Sequence, residues 1–337
     1  MAVDLPRTQR PRAAPAPAHW AALRERGAAW GPAALGFVYR IFGRGFCVAA
    51  MAPVILYFFA TGARQRRASV AYLRRVWAFS GRAGRPGLWQ AWLHFFAFGE
   101  SLVDRFGAWI GQVDRANVDE IDGGAFDAMR ADPRGTLILS AHVGATEIVR
   151  AIASRHQKRP ISIVIHSPHA AGYNQLIQRF APQSQVSLIQ AAEFDIAAAM
   201  RISAAIERGE WVVMMADRLP VSGGGEGRSI VVDFLGAPAP LPQGPFVMAA
   251  ALRCPVYTLF CVRRSGRYKA DVALLSDGVA APKAQRQAAL SALVGGYAKA
   301  LEELLQSAPY QWFNFYDYWR EQGDGGARTR DGKDAED

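Results

Sequence analysis

The pattern of apolar and polar positions divides the chain near residue 117. Upstream, residues 45–62, GFCVAAMAPVILYFFATG, carry no charge. A helix of that length spans roughly 27 Å, a little short of the ~30 Å hydrocarbon core of a bilayer. Arg40 and Arg44 precede it, and Arg64, Arg66, Arg67, Arg74 and Arg75 follow it, so the distribution of basic residues sets no direction. Pro53 predicts a bend, and a spanning segment, a re-entrant segment and a buried helix all remain open. The flanking arginines suit anionic headgroups and favour the membrane. Residues 88–111, LWQAWLHFFAFGESLVDRFGAWIG, hold Glu100, Asp104 and Arg105 within an aromatic run. This pattern predicts an amphipathic helix, interfacial or packed on a core.

Downstream, short apolar runs alternate with helical patterns. TLILSAH (136–142), PISIVIHS (160–167), QVSLIQ (185–190), WVVMMAD (211–217), SIVVDFLG (229–236) and PVYTLFCVRR (255–264) read as strands. GATEIVRAIASRH, AAGYNQLIQRF, FDIAAAMRISAAIERG and GPFVMAAALRC read as helices between them. Strands alternating with helices predict an α/β domain, a mostly parallel central sheet flanked by helices. The expected organisation is a disordered tail at 1–19, a membrane-associated helical region at 20–111, a catalytic domain at 112–320 and a second disordered tail at 321–337.

Composition narrows the partners. A net charge of +10 and a pI near 9.8 favour a polyanion: nucleic acid, an anionic membrane or an acidic carrier protein. No nucleic-acid-binding motif accompanies the charge, so nucleic acid is not expected. Cys47, Cys254 and Cys261 form no CxxC pair, which argues against a disulfide framework or a structural metal site; Cys254 and Cys261 read as small buried apolar residues. The first residues lack the apolar core of a signal peptide.

The stretch LSAHVGATEIV, residues 139–149, carries the candidate chemistry. His142 and Glu147 on one continuous helix would point about 140° apart. With His142 ending the strand, Gly144 permitting a turn and Glu147 in the first helical turn, the two side chains can converge. A carboxylate on one imidazole nitrogen fixes the tautomer and raises the basicity of the other. Such a histidine can take a proton from a hydroxyl or amine. Its place, beyond the carboxyl end of a strand, is where open α/β sheets bind ligands.

His-x4-Glu after an apolar strand resembles the HX4(D/E) motif of the lysophospholipid acyltransferase superfamily, and more particularly of the bacterial lipid A biosynthesis late acyltransferases. WVVMMADRLP, VVDFLGAPAPLPQGPFVMAAALRCPVYTLF and PYQWFNFYDYW match further stretches of that family in order, and WAALRERGAAWG and RRASVAYLRR resemble a subgroup of acyltransferases. The resemblance covers roughly residues 20–320. It implies a glycerol-3-phosphate acyltransferase-like fold and acyl transfer from an acyl carrier protein or coenzyme A thioester to a hydroxyl or amine of a lipid or glycolipid. His142 would be the general base, oriented by Glu147, with no cofactor and no metal. The implied location is the bacterial inner membrane, with the catalytic domain facing the cytoplasm.

Where the family carries an arginine after the second strand, this chain has His166 and His169, so His166 either substitutes there or is a surface residue. Asp217 and Arg218 read either as substrate-positioning residues, with Arg218 on a phosphate or pantetheine, or as a local ion pair. Gly144 is expected among the substrate-binding residues. SGGGEGRS (222–229) lacks the Lys-Ser/Thr of a P-loop and reads as a loop over the site. Gly236 and Gly244 read as turn formers, and WFNFYDYW as core or interfacial packing, or a wall of the acyl pocket. Two other functions compete. A non-catalytic lipid-binding or scaffold protein would not need His142. A glycosyltransferase would need an acidic metal-binding motif that the chain lacks.

Overall fold

The computed structural model describes residues 31–113, 117–120, 124–145, 148, 159–165, 186–191, 196–219, 229–278 and 283–321. The tail expected at 1–19, all of the tail expected at 321–337 but Glu321, Glu147, His166, His169 and most of the 222–229 loop lie outside these residues, as do most of the helix expected after His142 and the helix expected after His166.

Three helices open the described chain: α1 (Gly31–Thr61), α2 (Ala63–Phe79) and α3 (Leu88–Trp109). The bend expected at Pro53 does not form there; α1 instead breaks just before the apolar segment, at Gly43, which adopts φ 73°, whereas Pro53 lies inside the helix. Helix α1 runs antiparallel along α3. Gly107 sits against the Tyr39 ring, Ile55 packs against Gly99, and Phe59 meets Trp92 and Phe95 edge-on. Between these apolar contacts, Arg44 grips α3 with charge. Its Nε lies 2.6 Å from Asp104 Oδ1 and its Nη2 2.9 Å from Glu100 Oε1. Asp104 is almost fully buried, so this guanidinium is what makes its burial tolerable. The opposite face of α1 presents Phe37, Ile41, Phe42, Phe46, Leu56, Tyr57 and Phe58 to the exterior. Gly36–Thr61, 26 residues, is long and apolar enough to cross a bilayer.

The second region is a seven-stranded sheet in the order β1-β9-β8-β2-β5-β3-β4, formed by β1 (Val118–Glu120), β2 (Thr136–Ser140), β3 (Ile161–Ile165), β4 (Val186–Gln190), β5 (Trp211–Met215), β8 (Val256–Arg264) and β9 (Arg267–Ser276). All neighbouring pairs are parallel except β8 with β9. The α/β class with a mostly parallel central sheet is the one the alternating pattern predicts. Strand β2 is buried along its whole length, as a central parallel strand covered on both faces must be. Leu137 and Leu139 enter one core with side chains from α2, α5 (Ile196–Glu207), α6 (Gln243–Ala251) and α7 (Arg286–Ser307). Ile138 enters the other, with Phe126 and Met129 of α4 (Ala125–Ala131).

The pattern of apolar positions missed several elements. Strand β7 (Ala237–Pro242) pairs with β6 (Ser229–Phe234) as a separate antiparallel hairpin, although it holds three prolines. Proline is tolerated there because the hairpin leaves edges on which a missing N–H breaks no ladder. Leu235 and Gly236 both have positive φ, the two-residue geometry that fits a twisted hairpin. Gly244, expected at a turn, is instead the second residue of α6.

Candidate active site

The parallel pairing of β2 with β5 places Ser140 opposite Met215. Two residues further along each strand stand His142 and Asp217, so the register alone brings them to one point on the carboxyl edge of the sheet. Their side chains meet: His142 Nδ1 lies 2.8 Å from Asp217 Oδ1. The second carboxylate oxygen accepts the His142 backbone N–H at 3.1 Å and the Trp312 indole N–H at 2.9 Å. Asp217 has no solvent exposure, whereas the His142 side chain keeps 40% of its own.

Burial pushes the Asp217 carboxyl up, but the His142 ring, the Arg218 guanidinium and the Trp312 N–H outweigh it and hold the group well below the usual carboxylate range. An ionised Asp217 has no proton to give, so His142 donates through Nδ1–H, and in the neutral tautomer this bond selects, Nε2 carries the lone pair.

A C-terminal strap, residues 309–319, fixes this pair. Phe313 donates its N–H to the His142 carbonyl at 3.1 Å, and Gly144 donates its own to the Gln311 carbonyl at 2.7 Å. Gln311 in turn exchanges two side-chain hydrogen bonds with the Arg263 backbone on β8. The Arg218 Nη2 donates to the Phe313 carbonyl at 2.7 Å, and its guanidinium lies over the Tyr316 ring. Trp312 is fully buried between Tyr72, Phe234, Tyr318 and Trp319. The block WFNFYDYW therefore does more than pack, since its first residue holds the Asp217 carboxylate at the carboxyl edge of the sheet.

The strap reaches the helical region through His94 on α3. Its Nε2 lies 2.8 Å from the Trp312 carbonyl and its Nδ1 2.8 Å from the Ser69 hydroxyl on α2. The carbonyl only accepts, so Nε2 carries the proton and Ser69 donates to Nδ1. Burial pushes the His94 ring down to about 4, against the pull of the Trp312 carbonyl, and keeps it neutral. With a folded value below the ordinary ~6.5, the unfolded chain binds the extra proton first. Stability is therefore expected to fall as pH drops from about 6.5 to about 4, by about 3 kcal/mol for this site. Melting temperatures across that range test it: His94→Gln should remove much of the slope, and an unchanged slope assigns it to other groups.

The expected site residues thus fare differently. Asp217 and Arg218 do pair, at 3.7 Å, but the closer partner of Asp217 is His142. Gly144 has its N–H and its C=O already engaged, by Gln311 and by Arg105. Its φ of +51° and its approach to the Cys261 carbonyl leave no room for a side chain. Cys254 and Cys261 are buried, and burial pushes the Cys261 thiol far up, consistent with a packing role. Trp312, Gln311 and His94 were not singled out by their sequence. Only the isolated polar residues in aromatic surroundings, His94 in LHFF and Gln311 before WF, offered a signal.

A family model described as bacterial lipid A biosynthesis acyltransferase matches residues 97–321, well over half of the chain. The match begins within α3 and ends at the last residue of α8 (Tyr318–Glu321). No curated protein matches the chain.

Proposed function

The chain belongs to the bacterial lipid A biosynthesis acyltransferase family, and on that premise we propose the chemistry of its site and the identity of its substrates. It is a membrane-associated lipid acyltransferase. We propose that it moves a fatty acyl chain from an acyl carrier protein or coenzyme A thioester to a hydroxyl or amine of a lipid or glycolipid. His142 is the general base. The observation that carries this reading is the His142–Asp217 pair at the carboxyl edge of the sheet.

Nε2 of His142 takes the proton of the acceptor hydroxyl or amine as the acceptor attacks the thioester carbonyl carbon. The resulting tetrahedral intermediate collapses with rupture of the C–S bond. The proton passes from Nε2 to the departing thiolate. Asp217 holds the productive tautomer and stabilises the imidazolium between the two proton transfers. Glu147, expected from the sequence to orient His142, lies outside the described residues. Arg218 is placed by the Phe313 carbonyl and Tyr316 to meet an anionic part of the donor or acceptor. The thioester supplies the driving force, so the steps as written call on no cofactor or metal.

The exposed apolar face of α1 and the arginines around it support attachment to an anionic leaflet. The proposed location is the inner membrane, with the sheet on the cytoplasmic side, where acyl carrier protein and coenzyme A thioesters are made. Basic charge also suits docking of an acidic carrier protein.

Lipid mass spectrometry of a deletion strain tests the proposal. Complementation with the wild-type gene should restore a species heavier by one acyl chain. His142→Ala should fail to restore it while accumulating in the membrane at wild-type level. Full restoration by His142→Ala would favour a lipid-binding or scaffold role.

A further inference from the structure

The strap holds a buried side-chain amide with neither a donor nor an acceptor partner among the described residues; Tyr318 Oη and Trp319 Nε1 in the strap also lack one, but each is the single polar atom of an otherwise packed ring. Asn314 is fully buried, yet neither its Oδ1 nor its Nδ2 has a hydrogen-bond partner among the described residues. Its neighbours explain themselves. Phe313 and Phe315 pack on Phe98 and His94 of α3, and Trp312 packs between Tyr72 and Phe234. An apolar residue would suit position 314 equally well if packing were its only task. A buried amide without partners is a destabilising feature, and the few that folded chains keep call for a specific reason.

Asn314 directly follows the residue on which the site is hung. The Phe313 N–H binds the His142 carbonyl and the Phe313 carbonyl binds Arg218, so Asn314 is one peptide away from contacts to both. Its own N–H donates to the Trp312 carbonyl at 2.7 Å, which fixes its backbone. Arg218 repeats the feature: its Nε is buried and makes no hydrogen bond, standing 3.7 Å from Asp217 Oδ2. Two buried donors without a hydrogen bond among the described residues, Asn314 Nδ2 and Arg218 Nε, thus belong to the residue that follows Phe313 and to the residue whose guanidinium Phe313 holds.

Attack on a thioester turns its carbonyl oxygen into an oxyanion, and preorganised buried donors are what such a reaction needs there. Resting on the acyl-transfer reading above, we infer that Asn314, with Arg218 beside it, receives the carbonyl oxygen of the acyl thioester as His142 deprotonates the acceptor. The oxyanion accepts hydrogen bonds from both donors, keeps its charge until the C–S bond breaks, and then returns to a carbonyl in the product. Asn314 is on this account a catalytic residue that contributes nothing to the stability of the free protein.

The two properties together make the test. Full-length Asn314→Leu, close in size, and Asn314→Ala are purified from membranes. They are assayed with myristoyl-acyl carrier protein and myristoyl-coenzyme A, using lipid extract of the deletion strain as acceptor. Asn314→Leu should melt at or slightly above the wild-type temperature. Both variants should lose about 100-fold in kcat, with the thioester KM little changed. The pH dependence of kcat should keep its midpoint, because the His142–Asp217 pair is untouched. A folded variant with wild-type kcat overturns the inference. So does an Asn314→Leu protein that melts well below wild type or fails to accumulate, since the amide would then be structural, bridged by a water. The melting measurement decides this even without turnover. If His142→Ala is inactive while both Asn314 variants keep the wild-type rate, this inference fails alone. Wild-type turnover by His142→Ala overturns the acyl-transfer reading and this inference with it.

Discussion

Asp217→Asn should lower kcat by about 10³- to 10⁴-fold, while the protein stays folded and the thioester KM is little changed. The two residues are nearly equal in volume, so packing survives. An asparagine oxygen in the place of Oδ2 can still accept the His142 backbone N–H and the Trp312 indole N–H. Its NH2 group then faces His142 Nδ1, where the carboxylate oxygen stood at 2.8 Å. A donor there moves the ring proton to Nε2 and removes the lone pair that takes the acceptor's proton. Single-turnover measurement of acyl transfer separates this loss from weaker binding. Glu147→Gln is the companion measurement. The carboxylate that holds Nδ1 carries the large effect, and wild-type kcat in Asp217→Asn would remove Asp217 from the mechanism.

Gly144→Ala should damage stability and activity together. A Cβ at this position would lie 2.1 Å from the Cys261 carbonyl oxygen and 3.0 Å from Val262 Cα. Both atoms belong to the backbone of β8, which is locked between β2 and β9 and cannot step aside. The residue also holds φ at +51°, where an L side chain is strained. The loop must therefore move, and it carries the hydrogen bonds from Gly144 to Gln311 and from Phe313 to His142. A loss of about 2–3 kcal/mol is expected from overpacking. A displacement of the base by about 1 Å costs on the order of 100-fold in rate. Chemical denaturation and kcat on the surviving folded protein measure the two effects. Wild-type values of both would show that the loop has room the close approach denies.

What could be read in advance was local. The apolar run TLILS is a strand because each side chain can be buried, and the run ends where His142 begins. The 140° separation placed His142 outside any helix holding Glu147, and the structure leaves it in the loop after β2. WVVMM gave β5 and, two residues on, Asp217. Reading Asp217 as the partner of Arg218 followed from adjacency in the chain, the only proximity a sequence displays. That pair forms, at 3.7 Å, but the closer pairing, with His142, spans 75 residues and depends on β5 lying between β2 and β3, against chain order. The proline-rich strand β7 and the antiparallel return of β9 escaped for a related reason: their strand character comes from a partner and not from their own composition.

By itself, then, the sequence determined the types of the elements, the α/β class, the apolar segment with its arginine flanks and the histidine at a strand end. These rest on side-chain periodicity and charge, which act over a few residues. Tertiary structure alone decided which carboxylate holds His142, that Trp312 braces it, that His94 ties the helical region to the site, and that the Asn314 amide has no partner among the described residues. Each of these is a hydrogen bond made or withheld between segments far apart in the chain. Strand order, register and the path of the strap set those distances, and no short stretch of sequence encodes them.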